Sequence, residues 1–225
     1  MLDLTFGESV GRKFNSDRTV RHFPGNTIVC VLDHLTEVYE RARALRDEIV
    51  ESPMGSFIAP LPDESLHMTA IEGVCDQVRV PELWTKKLPL NAPLVDVDDF
   101  LEEQWKDIPE LKGVHMTFDS VWAGSGICIG LYPASYSDDV RIRDWRDSVA
   151  DSIGIRFPGH DRYRFHISLA YGIIPPSIEA IEALESIIER NEADWKRNRF
   201  TFEVPSPSLT YFNDMFYFNK NRIPR

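Results

Sequence analysis

Two short stretches of the chain each place an imidazole and a hydroxyl two positions apart. ESLHMTAIEGV contains His67 and Thr69, and YRFHISLAYGI contains His166 and Ser168. Alternate residues of a β-strand face the same way, so each pair is expected to project from one face of its strand. The residues between and beside them are mostly apolar, which predicts that the opposite face of each strand is buried.

This combination of side chains suits chemistry at a phosphodiester. A histidine titrates near neutral pH, so one imidazole can act as a general base while the other acts as a general acid. A Ser or Thr hydroxyl can donate a hydrogen bond to a phosphoryl oxygen and stabilise the charge that develops there. We therefore interpret His67 and His166 as catalytic residues, and Thr69 and Ser168 as phosphate-binding residues, of a metal-independent phosphoesterase.

The same residues allow other interpretations. A non-catalytic module would use the same cleft to bind a nucleotide or a phosphate group without hydrolysing it. A metal-dependent hydrolase would use the histidines as ligands, but the sequence has no HExxH or comparable metal spacing, so no metal or other cofactor is expected. Histidines on a strand can also form ordinary hydrogen bonds on a solvated sheet face. Because the pair occurs twice in equivalent positions, this interpretation is less favoured here.

A third histidine–hydroxyl pair, His115 and Thr117 in GVHMTF, has the same alternation. Periodicity alone does not reject it. It differs in its context, because no strand and helix of the kind that precede His67 and His166 come before it. His115 is therefore kept only as a candidate substrate-binding residue.

The order of predicted elements contains a repeat of layout. Each unit is a strand, a helix and a histidine-bearing strand: strand 26–32, helix 35–50 and the strand of His67, then strand 126–132, helix 138–153 and the strand of His166. The side chains of the two units match little, so the repeat is one of arrangement. It predicts an α+β protein of two similar lobes in a single domain of residues 1–225, with residues 1–25 as an N-terminal lead-in.

Other segments carry clear local signals. VDDFLEEQWKDI is predicted to be helical, with Asp98 or Asp99 as its N-cap. GVHMTFDSVWAGSGICIGLYPA predicts two strands around a Gly-Ser-Gly turn. Gly154 suits the C-terminus of the helix before it, and Ser177 suits the N-cap of the helix in IEAIEALESIIERNEADW.

Composition and charge limit the class of protein. The chain has 225 residues, 43% of them hydrophobic, and a net charge of −11. An acidic protein gains nothing from counterion release, so duplex DNA is not an expected partner, whereas a small phosphodiester, a nucleotide or an RNA end remains open. No apolar run approaches the roughly 18 residues of a membrane span. Three cysteines without metal spacing fit a reducing compartment, so we predict a cytoplasmic protein. We also expect it to be a monomer.

The two motifs and the lead-in resemble a known group of proteins. GRKFNSDRTVRHFPGNT, HMTAIEGV and RFHISLAYG are similar to the two-histidine phosphoesterase superfamily, which includes the RNA-ligase-like 2′,3′-cyclic phosphodiesterases, and to an uncharacterised microbial branch of it. The resemblance covers residues 10–220. It implies a bilobed, duplicated fold in which two antiparallel sheets line a central cleft, with helices packed outside. It also implies that His67 and His166 are catalytic and that Thr69 and Ser168 bind phosphate.

The second motif departs from the PHITLAR pattern common in that superfamily. Phe165 replaces the proline, and Tyr171 stands where the arginine would be, so the usual cation of the cleft is absent. In the first motif, Ala70 replaces a leucine. Arg164, two positions before His166, is a candidate for supplying this charge. Tyr171 is a candidate substrate-binding residue, but it is odd-spaced from His166 and faces away from it unless the strand contains a bulge.

Two further groups are expected to be solvated. His160 lies in the turn FPGHDRY and is predicted to face solvent. The lead-in contains a run of basic residues, for which a solvated surface is the favoured interpretation and folding over an anionic ligand is the alternative. That run comprises Arg12, Lys13, Arg18, Arg21 and His22.

Overall fold

The structure, a computed structural model, describes residues 4–222. The strands of this region are β1 Gly25–Val31, β2 Ile58–Pro60, β3 His67–Ile71, β4 His115–Ala123, β5 Gly126–Pro133, β6 His166–Gly172, β7 Thr201–Glu203 and β8 Ser208–Phe212. Its helices are α1 Glu37–Glu51, α2 Leu94–Trp105, α3 Tyr136–Ile153 and α4 Ile178–Asn198. No helix of residues 4–222 is both long enough and apolar enough to cross a bilayer.

The strands form an antiparallel sheet in the order β7-β4-β5-β6-β3-β1-β8, with β2 paired to β6. The α+β class predicted from the sequence is confirmed. The two predicted sheets are, however, joined into one. Met68 of β3 pairs with Ile167 of β6, and this short ladder links the two halves.

The predicted repeat of layout is present in both halves. In the first, β1 runs antiparallel to β3, with Val29 opposite Thr69. In the second, β5 runs antiparallel to β6, with Cys128 opposite Ser168. A helix connects the two strands of each half, α1 in the first and α3 in the second, and a short 3₁₀ turn precedes each histidine-bearing strand.

The helices pack their apolar stripes against the sheet, as their periodicity predicts. The buried stripe of α1 comprises Val38, Ala42, Leu45 and Ile49, and that of α3 comprises Ile142, Trp145, Val149 and Ile153. Gly154 ends α3 in the left-handed conformation (φ 68°) and Ser177 caps α4 by accepting from the main-chain N–H of Ala180, both as predicted.

The predicted N-cap of α2 is wrong. The helix begins at Leu94, directly after its N-cap Pro93, which lies five to six residues before the predicted cap. Asp98 lies inside it, only 3% exposed, and accepts a hydrogen bond from the side-chain amide of Asn26 at 2.8 Å. The Asp98 carboxylate therefore forms a buried tertiary hydrogen bond, whereas the local sequence pattern predicted that it caps the helix.

Residues 4–25 of the N-terminal lead-in are an ordered part of the fold. Phe14 is fully buried in a second hydrophobic cluster that also contains Phe23, Phe212 and Met215. Its ring lies 5.0 Å from that of Tyr171, measured between centroids. The segment therefore packs against one end of β6 instead of lying free on the surface.

Candidate active site

The four side chains of the two motifs lie together in one cavity. His67, Thr69, His166 and Ser168 all line a space of about 400 Å³ between the two halves of the protein. The aromatic rings in its wall come from several elements: Phe23, Phe157, Tyr163, Tyr171, Phe212 and Phe218. Its size and wall suit a small molecule with both apolar and anionic parts.

Alternation along the strands positions these side chains as the sequence predicts. Met68 and Ile167, at the centre of the two motifs, are fully buried, whereas the histidines and hydroxyls on either side of them are half-buried. The remaining back-face residues, which anchor the two strands in the core, are all at most 1% exposed: Leu66, Ala70, Phe165 and Leu169.

The register between β3 and β6 sets how the two motifs meet. Met68 pairs with Ile167 in an antiparallel ladder, so the residues on either side pair in opposite order. His67 therefore lies opposite Ser168, and Thr69 opposite His166. The two histidines are diagonal neighbours, a relation that corresponds to about 7–8 Å between backbones. Each imidazole thus has the hydroxyl of the other motif beside it.

Both histidines are held by the same main-chain contact. Nδ1 of His67 lies 2.7 Å from the carbonyl oxygen of Ser65, and Nδ1 of His166 lies 2.8 Å from that of Arg164. A carbonyl oxygen only accepts hydrogen bonds, so Nδ1 of each ring carries the proton and donates it. Nε2 of a neutral ring is therefore left with its lone pair, which makes it the atom available for proton transfer.

A bulge follows each motif and brings a further residue to the cavity. On β6 the register shifts between Ile127 and Cys128 of the neighbouring strand, so Ser168 and Tyr171 face the same side. The same shift occurs on β3, opposite Ile28 and Val29. Because of it Glu72, five residues after His67, lines the cavity just as Tyr171, five residues after His166, does.

Burial lowers the pKa of both histidines. The pKa of His67 falls to about 4, mainly through burial and further through the nearby His166. The pKa of His166 is also lowered, mainly through burial, but the negative charge of Glu72 opposes this by favouring the cation. Both rings are therefore neutral in the empty site at pH 7, and His166 is the one with a carboxylate to support its protonation.

The C-terminal segment contributes to the burial of His67. The ring of Phe218 lies against this imidazole at a tilt of 58°, with 4.4 Å between ring centroids. The segment is held in place at Met215, whose carbonyl accepts a hydrogen bond from Ser65 at 3.0 Å. At its far end the side chain of Arg222 pairs with Asp99 and Glu102.

Replacing Phe218 by alanine is expected to raise the pKa of His67 from about 4 towards its ordinary value of 6.5, because water then reaches the ring. The measurement is an NMR titration of the His67 ring protons. Tyr217→Ala, which removes an aromatic ring that is half exposed in the same segment, is the control and leaves the midpoint in place. An unchanged midpoint in F218A would contradict the assigned cause of the shift.

A buried arginine organises the wall behind the first motif. Arg146 of α3 is 1% exposed, donates a hydrogen bond to the carbonyl of Ala70 and lies 3.5 Å from the carboxylate of Glu72. Its guanidinium also stacks on the ring of Tyr163, with 4.2 Å to the centroid. Arg146 thereby fixes the bulge after Thr69 and the direction of the Glu72 carboxylate.

His160 supports this arginine, and the prediction that it faces solvent is wrong. It is 5% exposed and lies between Arg146, 3.4 Å from its Nδ1, and Asp147, 3.1 Å from its Nε2. An arginine can only donate, so Nδ1 accepts and Nε2 carries the proton. Burial and the two nearby guanidinium groups lower its pKa, which keeps the ring neutral.

Tyr163 lies within the cavity wall beside the catalytic candidates. Its ring is 6.0 Å from that of His166, and its hydroxyl interacts with the side chain of Thr69. Burial and the charge of Glu72 raise its pKa, so it stays a neutral phenol. Tyr163 thus contacts one of the two candidate phosphate-binding hydroxyls.

The other candidates from the sequence occupy different places. Tyr171 lines the cavity. The side chain of Arg164 is 65% exposed, stacks 3.8 Å above the ring of Trp122 and lies 3.8 Å from Asp119, so it flanks His166 outside the cavity wall. His115 is exposed at the start of β4, paired in register with Glu203 of β7, and does not line the cavity.

Within residues 4–222, the side chains close enough to share a metal ion are those of Asp147, His160 and Asp161. They lie apart from the two motifs. Arg156 already pairs with both carboxylates, at 2.7 and 3.3 Å, so their negative charge is largely compensated. This set does not fit a resident cation.

Several cavity residues were not predicted from the sequence. Glu72 and Tyr163 flank the motifs closely, but Glu72 reaches the cavity only through the bulge in β3, which was not predicted from the sequence. Phe218 reaches the cavity from the C-terminal end of the chain, and no local pattern predicts such a contact. Lys13 reaches it from the N-terminal end; for its basic run, folding over an anionic ligand was the alternative prediction.

The fold and the paired motifs define a class of proteins in which each half supplies one histidine and one hydroxyl to a shared cavity. The chain belongs to the 2H-phosphodiesterase family described as a domain of unknown function (DUF1868), whose sequence profile matches residues 13–125. That match includes His67 and Thr69 and ends before the second motif.

Two solved structures are similar to this one. A conserved protein of unknown function, ATU0111 from Agrobacterium tumefaciens strain C58, is 26% identical, with a TM-score of 0.86 over 97% of this chain and 93% of that chain. LigT from Escherichia coli, in its apo form, is 14% identical, with a TM-score of 0.41 over 85% of this chain and 88% of that chain. No curated protein matches the sequence.

Proposed function

We propose that this protein is a metal-independent phosphoesterase that hydrolyses a small phosphodiester, for which a nucleotide 2′,3′-cyclic phosphate or an RNA end is the substrate that fits best. The observation that carries this proposal is the meeting of two imidazoles in one cavity, each with Nδ1 bound to a carbonyl so that the lone pair of Nε2 remains for proton transfer. Membership of the 2H-phosphodiesterase family supports it.

The environments of the two histidines favour different roles. His67 is covered by Phe218 and has the lower-lying pKa, about 4, so its neutral form is maintained for use as the general base. The negative charge of Glu72 favours the cationic form of His166 and so opposes the effect of burial on its pKa. A bound phosphate anion acts in the same direction as Glu72. We therefore assign His166 as the general acid.

Hydrolysis then requires two proton transfers, one from water to His67 and one from His166 to the leaving oxygen. Nε2 of His67 takes the proton of the attacking water as its oxygen forms a bond to phosphorus. The bond between phosphorus and the leaving oxygen breaks, and Nε2 of His166 gives that oxygen a proton. The hydroxyls of Thr69 and Ser168 donate hydrogen bonds to the non-bridging oxygens, where negative charge develops.

A panel of cyclic and linear phosphodiesters, assayed in the presence of a strong chelator, tests the function. We expect hydrolysis of at least one cyclic phosphodiester by the parent protein, at a rate that chelator does not change. The double variant H67A/H166A is the blank and gives no product. Binding of the same compounds without turnover would instead identify a nucleotide- or phosphate-binding module, and activity that chelator abolishes would identify a metal-dependent hydrolase.

A further inference from the structure

Two cations from the N-terminal lead-in line the same cavity as the two motifs. Arg12 and Lys13 both contribute to its wall. Lys13 is half-buried, and its ammonium group lies 3.2 Å from the hydroxyl of Tyr171 and 4.8 Å from the centroid of that ring. The favoured prediction that this basic run is a solvated surface is therefore wrong for Lys13.

The fold holds Lys13 in place. Phe14, directly after Lys13, is fully buried against Tyr171, and its main chain forms bridges with Val10 and Val20. The bulge on β6 turns Tyr171 towards the cavity, so its hydroxyl can accept a hydrogen bond from Lys13. The tyrosine at this position thus anchors a cation that comes from another part of the chain.

The charge of these cations is not compensated within the described region. Among residues 4–222, no carboxylate forms an ion pair with Arg12 or Lys13, although the chain has a net charge of −11 and most of its arginines are paired. The carboxylate that lines the cavity, Glu72, is paired with Arg146. A half-buried ammonium without a counter-ion favours binding of an anion.

The cationic end of the cavity is separate from the histidine end. Tyr171, which holds Lys13, pairs with Gly126 of β5, whereas Ser168 pairs with Cys128 and His166 with Gly130. Four residues of β5 separate the partners of Tyr171 and His166, which corresponds to about 13 Å along the strand. One cavity therefore contains two places for anions, with Ser168 between them.

We propose that the ligand of this cavity carries a second anionic group, a terminal phosphate, which Lys13 and Arg12 bind while the phosphodiester lies between the histidines. This inference rests on the proposed function and deepens it. The substrate class is a small cyclic phosphodiester with a phosphomonoester at its other end, such as a nucleoside 2′,3′-cyclic phosphate that also has a 5′-phosphate.

A matched pair of substrates tests the proposal: adenosine 2′,3′-cyclic phosphate with and without a 5′-phosphate. We expect the parent protein to prefer the 5′-phosphorylated compound, by kcat/KM, by about 10- to 100-fold, the scale of a charge-assisted hydrogen bond. Lys13→Gln keeps a donor for Tyr171 but removes the charge, so we expect the ratio of kcat/KM for the two compounds to fall towards 1. Lys13→Arg keeps the preference.

Arg21→Gln is the control, because Arg21 is a cation of the same lead-in that binds Asn15 at the surface and does not line the cavity. The affinity of the parent and K13Q for both compounds, measured by calorimetry, separates this proposal from the proposed function. If neither compound is hydrolysed but the 5′-phosphate strengthens binding only when Lys13 is present, the second anion site stands and the enzymatic function fails. A 5′-phosphate that improves neither turnover nor binding overturns the proposal.

Discussion

Alanine at His67 or at His166 is expected to lower kcat on the best phosphodiester by about 10²- to 10⁴-fold, the usual contribution of a general acid or base. Each substitution removes the Nε2 atom that exchanges a proton with the reacting groups, while the buried back face of the strand stays intact. Steady-state kinetics, with folding checked by circular dichroism, measures the loss.

The nature of the leaving group separates the two roles. A p-nitrophenolate leaves without protonation, so a p-nitrophenyl phosphodiester needs no general acid but still needs a base. On that substrate H166A is expected to recover most of the parent rate, whereas H67A is not. Recovery of H67A and not H166A would reverse the assignment of acid and base.

His115→Ala is the matched control for both variants. His115 has the same motif, with Thr117 two positions later, but lies outside the cavity. Its substitution is expected to leave kcat and KM unchanged. If H67A and H166A both keep the parent turnover on every phosphodiester that the parent hydrolyses, the proposed mechanism is contradicted.

Arg146→Met is expected to destabilise the protein by about 3–5 kcal/mol, the scale for removing one partner of a buried ion pair. Methionine retains the apolar stem but leaves the Glu72 carboxylate, the carbonyl of Ala70 and Nδ1 of His160 without their donor. The free energy of unfolding, obtained from urea denaturation, measures the effect.

Arg143→Met is the control for this experiment because it makes the same change on the same helix. Arg143 pairs at the surface with Asp139, which lies one helical turn earlier in α3, and the side chain of Arg143 is 35% exposed. Surface pairs of this kind contribute about 0–1 kcal/mol. A loss of stability in R146M no larger than that in R143M would show that the buried network does not support the fold.

Local physical chemistry was enough to predict most of the elements and the two motifs. Apolar periodicity located α1 and α3, and alternation located β3 and β6, because each depends on residues that are close along the chain. Alternation also predicted that Tyr171 reaches the side of His166 only through a bulge. The register of β5 against β6 contains that bulge.

Long-range packing determined the rest of the site. The register of Met68 against Ile167 places each imidazole beside the other motif's hydroxyl, and it depends on how the two halves pack together. Lys13 and Phe218 are 205 positions apart along the chain yet line one cavity. Contacts of this kind depend on the total burial of distant segments, as with Phe14 in its cluster, so no window of neighbouring residues encodes them.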